Sequence, residues 1–193
     1  MSKTDWKKNS LPTIFKKAKL WNFKNGDVVT VLDVACGLSL KSKFIDAKIR
    51  VGVDIYEPYF DHIESDVPYV VIKYDVRKLE EIFLPNSFDL VIAIDIIEHL
   101  EKHEGLSLIK QCEEIAKKAV IVETPNGYIY QNIDILGFGG HTWQTHRSGW
   151  EVRELQDLGY RTTARDYRMA DIKRHTNIDV DPNVQIIDAI KYL

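Results

Sequence analysis

The sequence predicts a doubly wound α/β fold, with helices covering both faces of a mostly parallel sheet. Two observations predict it. Five near-continuous apolar, β-branched runs have the pattern of strands buried on both faces: VVTVLDV (28–34), IRVGVDI (49–55), PYVVIKYDV (68–76), FDLVIAI (88–94) and AVIVET (119–124). Segments of helix-forming composition separate these runs, so strand and helix alternate in steps of ~20 residues.

Along the chain, residues 1–26 stand apart in charge, with Lys3, Lys7, Lys8, Lys16, Lys17, Lys19 and Lys24 against the single acid Asp5. Leu11, Ile14, Phe15 and Ala18 recur at helical spacing, which predicts a short amphipathic helix with a solvated lysine face. A basic arm for an anionic substrate is the alternative reading of the same lysines. The organisation expected is this basic helical segment, 1–26, followed by one domain, 27–193. Within the domain, KSKFIDA, EPYFDHIES, RKLEEIF and EKHEGLSLIKQCEEIAKK supply the helices between strands. After Pro125 the rhythm breaks into a glycine- and aromatic-rich loop, NGYIYQNIDILGFGGHTWQTHRSG. WEVRELQDLGY then reads as a helix and YRTTARDY as a strand, while NVQIIDAIKYL fits either a final strand or a helix.

Composition narrows the classes further. The 193 residues carry 26 Lys+Arg against 29 Asp+Glu, a net charge of −3, so polyanions are not held by bulk charge alone. No apolar run approaches the ~20 residues of a membrane-spanning helix, and the N-terminus lacks the apolar core of a signal peptide. Cys36 and Cys112 are the only cysteines, too few for a disulfide framework or a structural zinc site. A cytoplasmic protein that does not engage membranes is expected.

In open α/β sheets ligands bind beyond the carboxyl ends of the strands, near the point where strand order reverses. The first strand runs into Asp33-Val34-Ala35-Cys36-Gly37-Leu38-Ser39, and the second ends in Asp54, 21 positions after Asp33. An acid at that spacing commonly accepts hydrogen bonds from ribose hydroxyls. A dinucleotide would need G-x-G-x-x-G to bring its pyrophosphate onto the backbone, and only Gly37 is present. A ligand with a ribose and no phosphate tolerates the looser turn, and S-adenosylmethionine is such a ligand.

At these residues the sequence resembles a known family. VLDVACGLS, VGVDIYEP, the Tyr74-Asp75 pair and FDLVIAIDIIEHL are similar, in order, to the successive motifs of class I S-adenosylmethionine-dependent methyltransferases, over roughly residues 28–160. The resemblance is to members with an EH pair after the fourth strand. It implies a seven-stranded, Rossmann-like sheet whose last strand is antiparallel. It further implies that Asp33 and the backbone of Ala35, Cys36 and Gly37 face the methionine portion of the cofactor. Asp54 would take the ribose, Ile55 the adenine face, Asp75 the adenine amino group with the Val76 backbone beside it. Asp95 and Ile96 would lie near the sulfonium. Ala35 and Ser39 depart from the family, which usually has glycine there, and the departure bears on cofactor affinity. Each acid also suits a helix N-cap after a strand, but four at successive strand ends favour a shared ligand.

Methyl transfer needs an aligned acceptor, often deprotonated. His99, His141, His146 and Glu123 are the candidate bases, and Glu98, beside His99, completes the expected catalytic group of Glu98, His99 and His146. The sequence leads to methyl transfer onto an oxygen of a small-molecule acceptor. A second reading is a metal-assisted RNA 2′-O-methyltransferase. The RNA 3′-terminal enzymes carry E-x-x-E-H, T-P-N and further histidines; this chain shows Asp95-x-x-Glu98-His99, with Asp95 in place of the first Glu, then Thr124-Pro125-Asn126 and His146, with His141 displaced from the usual spacing. A third is a non-catalytic methyltransferase-fold subunit that supports a partner. Loop 126–149, with Tyr128, Phe138 and Trp143 and the glycines 137, 139 and 140, is expected to form part of the acceptor pocket.

Overall fold

The computed structural model describes residues 28–42, 45–166 and 184–193. The basic segment 1–26 lies outside them, as does part of the expected helix KSKFIDA. Seven strands form one sheet: β1 (Thr30–Val34), β2 (Ile49–Asp54), β3 (Tyr69–Lys73), β4 (Phe88–Ile94), β5 (Ala116–Pro125), β6 (Arg161–Asp166) and β7 (Gln185–Tyr192). Their order is β3-β2-β1-β4-β5-β7-β6. β1 to β5 pair in parallel, and β7 runs antiparallel to both β5 and β6. The chain tail is therefore a strand. Strand order reverses between β1 and β4, so a crevice opens beyond Val34 and Ile94.

Side chains alternate between two cores. Leu32, Val34, Val91, Ala93, Val120 and Val122 face one side, packing with Trp150, Leu155 and helix α1 (Lys102–Ile115). Val31, Leu90, Ile92, Ala119 and Ile121 face the other, with Ile45, Ala47 and Ile190. This two-sided burial is why the central strands read as continuous apolar runs. The edge strand β3 does not share it, since Val70 is 54% exposed.

The helical segments differ from the pattern expected of them. EPYFDHIES and RKLEEIF form short 3₁₀ segments, Glu57–His62 and Val76–Glu81. The second is tied to α1 by the buried Gln111, whose side-chain oxygen accepts from Leu79 N at 2.8 Å and whose amide donates to Arg77 O at 3.0 Å. Helix α1 ends at Ile115, and Ala116, Lys117 and Lys118 already belong to β5. Helix α2 spans Val152–Asp157. Among the described residues no helix is long and apolar enough to cross a membrane.

Candidate active site

After β1 the chain turns through three left-handed residues, Ala35 (φ 55°), Gly37 (φ 49°) and Ser39 (φ 53°). Only glycine enters this region freely, so Ala35 and Ser39 keep the glycine conformation of the motif at a steric cost. Neighbours hold them there. Cys36 N donates to Val53 O at 3.0 Å, Ser39 N to Cys36 O at 2.6 Å, and Ser39 Oγ to Asp33 Oδ2 at 2.9 Å. Tyr69 OH adds a longer bond to the same Asp33 oxygen, 3.3 Å. Burial pushes the Asp33 carboxyl up to about 6, against these donors.

Two cavities share this turn. The smaller, about 170 Å³, is lined by Ala35, Gly37, Asp54, Ile55, Asp75, Val76, Asp95 and Ile96, eight of the ten residues the sequence assigns to the cofactor. The larger, about 700 Å³, takes the other two, Asp33 and Cys36, and meets the first at Ala35, Gly37, Asp95, His99 and Gln144. Asp54 accepts from Gly37 N and Tyr56 N, both at 2.8 Å, one bond per oxygen. Each oxygen keeps a lone pair for a ribose hydroxyl. Asp75 lines the cavity, but Arg77 engages both its oxygens and holds its carboxyl below the usual range. Its visible role is to cap the 3₁₀ segment by accepting from Arg77 N, and its oxygens face a guanidinium rather than open space.

The segment after β4 does not enter a helix at once. Asp95 sits at φ 51°, Ile97–His99 makes one 3₁₀ turn, and α1 begins only at Lys102. Asp95 pairs with Lys41 Nζ at 2.6 Å while staying close enough to Glu98 to act on its charge. His146 stands beside Glu98 and His99. Arg147 N and Ser148 N both donate to Glu98 O, at 2.8 and 3.1 Å, which lays the end of the long loop along this turn. The rings of His99 and His146 meet edge to face, centroids 4.7 Å apart. Their Nδ1 atoms lie 3.3 Å from Thr145 O and 2.7 Å from Ile129 O. Carbonyls only accept, so each Nδ1 carries the proton and each Nε2 a free lone pair.

Burial sets the charge states of this cluster. It lowers both imidazoles, His99 to about 4, with His146 beside it adding to the shift. It raises Glu98 to about 8, as does the nearby Asp95, while Thr124 Oγ1 donates to Glu98 Oε2 at 2.8 Å. Ligand-capable atoms of Glu98, His99 and His146 lie within 4.8 Å of one another, the only such grouping of three among the described residues.

Two candidate bases fall away. His141 Nδ1 accepts from Asp134 N at 2.9 Å, which makes it an anchor of the loop. Glu123 is gripped by Lys41 and by Arg165 (3.0 Å), which also binds Asp188 at 2.7 Å, and it lines neither cavity. The glycines of loop 126–149 turn and dock it. Gly137 and Gly139 have φ of 80° and 86°, and a β-carbon on Gly140 would stand 3.1 Å from the Tyr59 hydroxyl. Tyr128 lines the larger cavity, but Trp143 lines the smaller one with the residues the sequence assigns to the cofactor. Lys41 is the site residue that sequence reasoning missed. Its spacing behind Gly37 is a signal only once its partners on β4 and β5 are known.

A crevice at the β1/β4 switch point, with acids at strand ends and a turn too sparse in glycine for pyrophosphate, defines a class I S-adenosylmethionine-dependent methyltransferase. The family described as a methyltransferase domain matches residues 32–129, and the chain belongs to that family. Solved structures agree on the fold. A SAM-dependent methyltransferase from Archaeoglobus fulgidus aligns over 86% of this chain and 87% of its own, with a TM-score of 0.55 at 20% identity. Magnesium protoporphyrin IX methyltransferase from Synechocystis PCC 6803, with bound SAM, aligns over 85% and 70%, with a TM-score of 0.52 at 16% identity. The methyltransferase domain of the bacterial protein CtHen1 aligns over 86% and 91%, with a TM-score of 0.54 at 17% identity. No curated protein matches the sequence.

Proposed function

We propose that this methyltransferase transfers the methyl group of S-adenosylmethionine to an oxygen of a small-molecule acceptor, with His146 as the base. The observation that carries the reading is the pair of buried, neutral imidazoles on the wall of the 700 Å³ cavity, beside the turn where the two cavities meet. The residues present suit the donor: Asp33 for an ammonium, Asp54 for a ribose, and Ile55, Val76 and Ile96 for an adenine face. When bound, S-adenosylmethionine supplies an electrophilic methyl group on a positively charged sulfur. His146 Nε2, neutral at pH 7, takes the acceptor proton as the new oxygen–carbon bond forms. His99 presses edge-on against the His146 ring and fixes its plane, and Glu98, protonated and held by Thr124, adds no negative charge that would stabilise an imidazolium early.

One observation favours a second reading. Glu98, His99 and His146 converge closely enough to hold one divalent cation, as the pattern of RNA 2′-O-methyltransferases would require. A chelator separates the two. Turnover that survives chelation supports proton transfer to His146, and turnover lost and restored by magnesium or manganese supports the metal. In either case His146→Ala is expected to cut methyl transfer to a panel of hydroxylated acceptors by at least about 100-fold. Its affinity for S-adenosylhomocysteine should stay within about twofold of the parent. Asp54→Ala is expected to do the reverse, weakening that affinity by about 1–3 kcal/mol in calorimetry. A parent protein that binds no cofactor at millimolar concentration would instead support a non-catalytic subunit.

A further inference from the structure

The two strand ends and the 3₁₀ segment account for one wall of the smaller cavity. The opposite wall comes from loop 126–149, through Trp143, Gln144 and Arg147. Trp143 is 42% exposed, whereas Trp150, a few residues on, is fully buried. The open indole surface is held in place from both sides. Asp134 accepts from the backbone N–H groups of Leu136, Phe138 and Gly140 at 2.8–3.0 Å, and Tyr56 OH donates to Phe138 O at 2.6 Å. Trp143 N donates to Gly140 O at 2.9 Å. On its other side the Arg147 guanidinium spans His99 O (2.6 Å) and Thr142 O (2.9 Å). An exposed indole therefore lines the same cavity as Ile55 and Val76, where its flat face can take another flat ring.

Tyr59 supports the loop from beneath: its ring is stacked edge-on against Tyr56 and Phe138, and its buried hydroxyl lies against Gly140.

We infer that Trp143 is a cofactor-binding residue: its indole covers the adenine ring of S-adenosylmethionine. The assignment rests on that molecule being the methyl donor. It makes the long loop part of the cofactor site as well as the acceptor site, with Gln144 on the wall of both.

Calorimetry and tryptophan fluorescence with S-adenosylhomocysteine test it on the full chain. Trp143→Ala should weaken binding on the order of 10–100-fold, the loss expected for a base–aromatic stack, and Trp143→Phe far less. The ligand should change the emission of the parent, and Trp143→Phe, which keeps an aromatic ring at that position, should abolish most of that change. Thermal unfolding of each variant separates loss of binding from loss of fold. A Trp143→Phe protein that melts like the parent and shows the full emission change overturns the assignment, as does an affinity unchanged within twofold in a folded Trp143→Ala. A parent that does not bind S-adenosylhomocysteine overturns this inference and the cofactor reading together.

Discussion

Ala35 and Ser39 share a backbone conformation but not a set of contacts, and the difference decides what each contributes. At φ 55° the Ala35 β-carbon crowds the following carbonyl, which costs about 1–2 kcal/mol for an L residue. Nothing but the bonds of its neighbours opposes that strain. Ala35→Gly is therefore expected to raise stability by about 1 kcal/mol, after the extra entropy of an unfolded glycine is subtracted. Ser39 carries the same strain, but its hydroxyl donates to the buried Asp33 and contacts Ser42. Ser39→Gly should accordingly be destabilising, because it removes one of the hydroxyls that hold the buried Asp33 carboxyl, leaving Ser42 and the longer Tyr69 bond. Urea titrations of the two variants check the opposite signs. The strand-end residues that line the smaller cavity were legible in the sequence because strand ends place them: Asp54 is found by its distance from Asp33. Lys41 was not, since its partners Asp95 and Glu123 lie 54 and 82 positions away. Nor was the pairing of Asp95 with Lys41, because a left-handed residue at Asp95 and a single 3₁₀ turn, not a helix, follow β4.

Helix α1 holds the turn that carries Glu98 and His99, and it does so across a glycine. Gly105 lies within α1 against Trp150, whose ring is fully buried and takes Lys102 Nζ 3.8 Å from its centroid. Ser148 continues the joint, accepting from Trp150 Nε1 at 3.1 Å and donating to Ile97 O at the same distance. By helix propensity alone Gly105→Ala would stabilise the protein by about 1 kcal/mol. A β-carbon there, however, would stand 2.6 Å from Trp150 Cζ2 and 3.3 Å from Ile97 O. The contact dominates, so Gly105→Ala is expected to destabilise by about 1–3 kcal/mol. The loss should shrink when combined with Trp150→Phe, a coupling that a double-mutant cycle reads directly. At this scale the strands were legible and the helices less so. Apolar runs identify β1, β2, β4 and β5 because both faces are buried. The same property made β7 ambiguous, as IIDAI is buried without alternation. The 3₁₀ segments are too short for helical periodicity to set their type, and packing on Gln111 and on the long loop decides it instead.

Taken whole, the molecule gathers acids at the carboxyl edge of its sheet and removes them from water, and its pH stability should record this. Glu98 is raised from 4.5 to about 8, first by burial and then by Asp95. Glu123 is raised from 4.5 to about 7, first by burial, with Lys41 opposing. A carboxyl raised in the folded state binds more protons folded than unfolded, so its contribution is full below pH 4.5 and is lost as pH rises through the folded value. Asp33, raised from 3.8 to about 6, completes its loss earlier. His99 and His146 act in the opposite sense, and their contribution is already complete above the ordinary histidine value of 6.5. Between pH 6.5 and 8 the two glutamates are therefore the titrating groups among the described residues whose shifts set the slope. Ligand-free protein is expected to lose about 1–3 kcal/mol of unfolding free energy over this interval. Urea titrations in matched buffers measure it, and Glu98→Gln or Glu123→Gln should each flatten the slope. A flat or rising profile in the parent would mean that both glutamates stay ionised when folded, Glu123 through Lys41 and Arg165, and Glu98 despite its burial. Glu98 would then act on His146 as a negative charge and make it a stronger base than the neutral environment allows.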